Sequence, residues 1–243
     1  MVDESLVGFI RERYIRIQTQ IVDAARIAGR APESIQLLVV TKKQPVSVIE
    51  AAIVADVKIF GENYPEEAVS KQQVLNIGNK VEWHMIGHVQ SRKARLVAEN
   101  FALLHSLDSL KLARRLDRFA AEFGRKLPVL LEFNVGGEES KFGWQASDES
   151  LWDNFLPDLE ALLSLENLEV QGLMTMPPFF EDAELARPYF RQLRVLRDYL
   201  SALYPQVKWE QLSMGTSVDF QVAIEEGATI VRVGQAILGS RPV

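Results

Sequence analysis

The chain contains no cysteine and only three histidines, His84, His88 and His105, among 243 residues. Disulfides, thiolate nucleophiles and zinc–cysteine centres are thereby excluded, and too few imidazoles remain for a histidine-rich metal site. No apolar run approaches the roughly 20 residues that a membrane-spanning helix needs. The opening stretch MVDESLVGFIRERY carries charges where a secretory signal needs an unbroken apolar core, so cytoplasmic residence is the expectation. Positive charge is not in excess either: 27 Lys and Arg against 33 Asp and Glu give a net charge of -6, which offers nucleic acid no general attraction. Low-complexity linkers are absent, and no predicted strand leads into a G-x-G-x-x-G dinucleotide fingerprint.

What the chain does have is 47% hydrophobic residues, enough for one large core, and a single domain over residues 1–243 is expected. Leu6, Phe9, Ile10, Tyr14, Ile17, Ile21, Ala24 and Ile27 recur at spacings of three and four, predicting an amphipathic helix from Ser5 to about Ala28, ended by Gly29. Beyond it, apolar strand-length runs alternate with helical patterns. LLVV, VKIFGEN, VEWHMIGH, FALLHSLD, LPVLLEFN, LEVQGLM, VKWEQLS and ATIVRV make about eight strand–helix units. Such alternation implies a parallel sheet with right-handed crossovers. About eight repeats predict a (β/α)8 TIM barrel with an extra N-terminal helix, in preference to an open doubly wound sheet.

In a barrel, chemistry belongs at the carboxyl ends of the strands. The first run, LLVV, leads through Thr41 into Lys42 and Lys43. By strand alternation Leu38, Val40 and Lys42 share one face and Lys43 takes the other. If that shared face is the interior, desolvation lowers the Lys42 pKa and frees a Schiff-base nucleophile; if not, both lysines simply cap a strand in solvent. The seventh and eighth strands end in Ser213-Met214-Gly215-Thr216-Ser217 and in Gly234-Gln235. These loops suit either ordinary turn chemistry, with Thr216 and Asp219 spaced as a capping box, or the phosphate site that barrels often build there. Arg232 stands inside the apolar run ATIVRVGQ, where burial demands a partner, either a ligand or a carboxylate such as Glu210 or Glu62. Glu62 and Asn63 reach the same rim, as turn residues or as ligand contacts. His84 reads as a core histidine, Lys141 as a loop charge, and Ser91-Arg92-Lys93-Ala94-Arg95 as a solvated helix face.

The segments LLVVTKKQP, FGENYPEEA, VEWHMIGHVQSRK, SKFGW, GLMTMPP and LSMGTSVDFQVAIEEGATIVRVGQAILGSR fall in order at successive strand ends and span nearly the whole chain. Together they resemble the pyridoxal phosphate homeostasis protein family, single-domain relatives of the alanine racemase barrel. The resemblance implies that Lys42 holds pyridoxal 5'-phosphate (PLP) as a Schiff base. It also implies that Ser213, Met214, Gly215, Thr216, Ser217, Gly234 and Gln235 surround the phosphate, that Arg232 faces the pyridine nitrogen, and that Asn63 lies near the ring. Thr41, Gln44 and Gln235 depart from the family's usual serine, lysine and threonine; Thr41 keeps a hydroxyl, whereas Gln235 offers only its backbone donor. The implied role is a monomeric PLP carrier that supplies or buffers the cofactor for PLP-dependent apo-enzymes, not an enzyme itself. The chain ends without the extra domain that supplies an opposing base in the racemases, and an arginine at the ring nitrogen makes a weak electron sink. The alternatives are a small PLP-dependent racemase, a cofactor-free Schiff-base aldolase, or a scaffold with a vestigial site.

Overall fold

The structure, a computed structural model, describes residues 2–76 and 78–240; Arg241, the last residue of the motif ending LGSR, lies outside them. The chain opens with α1 (Glu4–Ile27). The Asp3 carboxylate caps it by accepting from the N–H groups of Ser5 (2.9 Å) and Leu6 (3.3 Å), and Gly29 ends it in left-handed backbone at φ 67°. Its buried stripe, Val7, Ile10, Ile17, Ile21, Ala24 and Ala25, is narrower than the periodicity predicts, with Ile27 77% exposed and Phe9 under the Arg13 guanidinium.

Strands and helices then alternate: β1 (Gln36–Val40), α2 (Val46–Val54), β2 (Ile59–Glu62), α3 (Pro65–Leu75), β3 (Glu82–Met85), α4 (Ala94–Asn100), β4 (Leu103–Leu107), α5 (Leu110–Glu122) and β5 (Leu127–Asn134). The second half adds β6 (Trp144–Gln145), α6 (Leu156–Leu163), β7 (Leu168–Met174), α7 (Arg187–Leu203), β8 (Gln211–Ser213), α8 (Phe220–Glu225), β9 (Ile230–Val233) and α9 (Gln235–Leu238). The parallel order β4-β3-β2-β1-β9-β8-β7-β5 closes through β4–β5, which makes the expected eight-stranded barrel. The ninth strand, β6, was not expected. It pairs only with the outer end of β5, Phe133 with Trp144 and Asn134 with Gln145, and so ties down the loop between them.

Alternation within the strands sorts two apolar sets. Leu38, Leu103, Leu130, Met174 and Ile230 fill the barrel, with Val40, Ile59 and Ile86 packed on them. Leu37, Val39, Leu131, Val231 and Val233 point outward into the larger core beneath the helices. Gly61 is needed inside, because a Cβ there would lie 2.2 Å from Leu38 Cδ2. The helix that follows β9 is a single turn, and α1 packs against α2, α8 and α9. The N-terminal helix therefore takes the place in the outer ring that the chain's last helix is too short to fill.

Candidate functional site

β1 stops at Val40, so both lysines lie in a turn and strand alternation does not reach them. The turn is closed by the Gln44 N–H donating to the Thr41 carbonyl (3.0 Å), and Lys43 takes φ 58°, a left-handed conformation unfavourable for a side-chain-bearing residue. A buried network holds it. Lys71 on α3 donates to the Thr41 carbonyl (2.8 Å), to Glu62 (2.7 Å) and to Glu67 (2.6 Å). The Thr41 hydroxyl donates to Glu62 (2.7 Å), and the Lys43 N–H to Glu67 (2.6 Å). Burial pushes the Glu62 carboxyl above its ordinary range against the pull of the Lys71 ammonium. The turn thus delivers Lys42 to a cavity and leaves Lys43 exposed, which is the expected division for a different reason.

That cavity, about 660 Å³, opens at the carboxyl ends of the strands and gathers Lys42, Asn63, Thr216, Ser217, Arg232, Gly234 and Gln235. Three of the predicted residues lie outside its lining. Met214 is buried in the outer core, Ser213 sits beneath Arg232, and Gly215 packs so closely on α8 that a Cβ would lie 2.6 Å from that of Ala223. Thr216 forms half of the predicted capping box: its N–H and hydroxyl donate to Asp219 Oδ1 at 2.6 and 2.9 Å, while Asp219 makes no side-chain cap to α8. The last two loops meet where the Gly234 N–H donates to Ser217 Oγ (3.4 Å).

Arg232 is buried at the cavity floor. Its guanidinium donates to Ser213 Oγ (2.6 Å), the Thr175 carbonyl (2.9 Å) and Met176 Sδ (2.8 Å), and burial brings its pKa down to about 10, leaving it cationic near neutrality. Neither suggested carboxylate partner serves it, since Glu62 is engaged by Lys71 and Glu210 is exposed. Glu132, on the inward face of β5, also lines the cavity. Burial, then the nearby Asp108 charge, push its pKa up to about 7, and its Oε2 has no hydrogen-bond partner among the described residues. Glu132 escaped the sequence reading, although a lone carboxylate in LPVLLEFN is the same signal that marked Arg232. Lys141 stands across the cavity, 3.7 Å from Glu138, beside Phe142, whose ring stacks on His88 at 3.6 Å between centroids. Of the basic run, Arg95 pairs with Glu122 on a solvated helix face, as expected, whereas Lys93 departs from that reading: it lies in the 3-10 turn before α4, pairs with Glu66 and lines this cavity.

A larger cavity, about 850 Å³, occupies the opposite mouth, where Gln36, Gln171 and Gln211 surround Glu82 and His84. None of the predicted strand-end residues reaches it. The two mouths are joined inside the barrel by polar side chains: Ser213 Oγ lies 2.8 Å from His105 Nδ1, His105 Nε2 3.0 Å from His84 Nδ1, and His84 Nε2 3.3 Å from Glu82 Oε2. Burial, then the nearby His84 and Arg232, hold the His105 pKa well below the ordinary histidine range.

A closed parallel barrel with a lysine just past its first strand and an arginine in its last is a barrel of the alanine racemase type, and the family model for the alanine racemase N-terminal domain matches residues 20–242. An alanine racemase from Clostridium difficile shares the fold, with a TM-score of 0.68 at 16% identity over 97% of this chain and 58% of the racemase. The pyridoxal phosphate homeostasis protein of Aquifex aeolicus is 42% identical over 230 residues, 95% of this chain and 97% of that one. PipY of Synechococcus elongatus, solved with PLP bound, superposes with a TM-score of 0.78 at 35% identity over 95% of this chain and all of PipY. The chain belongs to the pyridoxal phosphate homeostasis protein family.

Proposed function

We propose that this chain binds PLP in the carboxyl-end cavity through Lys42 and acts as a carrier inside the cell, a single barrel domain working as a monomer that supplies or buffers the cofactor for PLP-dependent apo-enzymes. The observation that carries this reading is the convergence of Lys42, Arg232 and the last two loops on one cavity. The donor set fits the group. A primary amine faces one wall, a guanidinium forms the floor, and the Ser217 hydroxyl stands with the Gly234 and Gln235 backbone where an anion would be held, beside Thr216, whose own donors are engaged by Asp219. A volume of about 660 Å³ suits a small-molecule site. PLP bound as a Schiff base supplies an electron sink for carbanion chemistry.

The surrounding residues favour holding over turnover. The arginine side chain only donates, and Arg232 keeps its proton at the cavity floor, so a ring nitrogen set against it would stay unprotonated and withdraw electrons weakly. The network from Lys71 fixes the backbone turn that carries Lys42, so the main chain beneath the amine needs no ordering when a ligand arrives. Among the described residues no helix is long and apolar enough to cross a membrane.

Borohydride reduction after incubation with PLP, followed by peptide mass spectrometry, tests the assignment. The phosphopyridoxyl mass is expected on Lys42, absent from Lys42→Ala and retained in Lys43→Ala. Labelling of Lys43 or Lys141 instead, or none at all, would remove Lys42 from the role. Racemisation of amino acids by the loaded protein at ordinary enzyme rates would replace the carrier reading with the racemase one.

A further inference from the structure

With Glu82 ionised and both imidazoles neutral, the polar side chains that cross the barrel have one consistent proton arrangement, running from the donor Arg232 to the acceptor Glu82. A guanidinium donates and never accepts, so Ser213 Oγ accepts from Arg232 Nη1 at 2.6 Å. The serine's single proton goes to His105 Nδ1 at 2.8 Å, because an ionised Glu82 takes the His84 Nε2 proton and leaves each neutral ring its Nδ1 as acceptor. His105 must carry its own proton on Nε2 and give it to His84 Nδ1 at 3.0 Å. That leaves the His84 proton on Nε2, directed at Glu82 Oε2 at 3.3 Å. The neutral His105 of this arrangement is in keeping with its depressed pKa.

The geometry also places these groups beyond ordinary core satisfaction. β4 and β8 lie three places apart around the closed barrel, through β5 and β7, so the His105–Ser213 bond spans the interior of the barrel instead of linking neighbours. His105 and Ser213 are buried, whereas the Glu82 side chain is 62% exposed in the opposite mouth. Arg232 Nη2 is fixed by the Thr175 carbonyl and Met176 Sδ; Nη1 depends on a hydroxyl that could rotate were it not held by His105.

We propose that His105 is a positioning residue for Arg232: acting through Ser213 it holds the guanidinium at the floor of the PLP cavity, and His84 and Glu82 continue the same one-way chain to the opposite mouth. This rests on the reading that the cavity takes PLP with its ring nitrogen against Arg232. The chain conducts no proton to the cavity, because its last member cannot accept one. Its effect is orientational: each donor polarises the next and fixes the direction of the bond before it.

Two measurements test it. The first is long-range ¹H–¹⁵N correlation on the unmodified protein without cofactor, which reads the tautomer of each histidine. His84 and His105 are expected to be neutral and protonated at Nε2, and a proton on Nδ1 of either ring would overturn the direction of the chain. The second compares binding of PLP and of its 1-deaza analogue, in which a C–H replaces the ring nitrogen, by equilibrium dialysis. The parent is expected to prefer PLP by roughly tenfold, the scale of one hydrogen bond to a charged group. In His105→Asn that preference should fall to roughly twofold, with affinity for the analogue little changed. His84→Gln, a milder change further along, should shift the ratio in the same direction and serves if His105→Asn does not fold. Parallel weakening of both ligands, or an unchanged ratio, would reduce His105 to a structural residue. A parent that binds both ligands equally would overturn the Arg232 contact and this inference with it, while a parent that takes up no PLP would overturn the functional reading itself.

Discussion

Glu132 shows how much a single residue reports about the cavity. Burial raises its carboxyl from 4.5 to about 7 in the folded chain. A carboxyl with a raised native pKa contributes stability that is complete below its unfolded pKa and is lost as pH rises through about 7. Glu132→Gln removes this titration. In urea denaturation without PLP, the parent should lose about 2 kcal/mol relative to the variant between pH 5 and pH 8, a figure reduced for water entering the cavity. Superimposable pH dependences would mean that the carboxyl is better solvated than its position indicates. Arg232 was legible in the sequence because one charge interrupted an apolar strand, and Glu132 carried the same signal unread. Lys71 carried none, since a lysine on an amphipathic helix is indistinguishable from a solvated one until the fold buries it.

At the scale of elements, the turn after β1 depends on α3. Lys71 is the cation of a buried network whose other members, Glu62 and Glu67, hold Thr41 and Lys43 in place. Lys71→Met leaves the Glu62 carboxylate without its countercharge, and a cost of about 3–5 kcal/mol is expected by chemical denaturation, the range for a broken buried pair. Adding Glu62→Gln should recover part of that loss while Lys42 stays slow to react with PLP, because the turn no longer has its strap. Full recovery of both would show that α3 does not set the lysine. The alternation of strands and helices was readable because each element has its own apolar period. Three features were not: β6 has two residues and no period, α9 is one turn, and β1 ends before the lysines, where alternation had been carried too far. The helices before β7 and β8 are each preceded by a 3-10 turn, at Glu149–Asn154 and Ala183–Ala186.

The whole molecule is a barrel with a polar mouth at each end, and PLP is proposed to engage only one. At a hundredfold excess over its dissociation constant such a ligand should add about 2.7 kcal/mol of stability, which for a chain of this size is a rise in Tm of roughly 5–10 °C. Scanning calorimetry should show that rise in the parent and not in Lys42→Ala; an equal rise in both would place the dominant contacts elsewhere. The position of α1 carries a further consequence, one of timing during synthesis. Its apolar stripe rests partly on α8 and α9, whose last residue is Leu238. At about 5–20 residues per second a ribosome needs roughly 10–40 s to travel from the end of the first helix to that point. For that interval the earliest-made helix has α2 but not α8 and α9 to lean on, and the nascent chain must be kept from other apolar surfaces until those helices arrive.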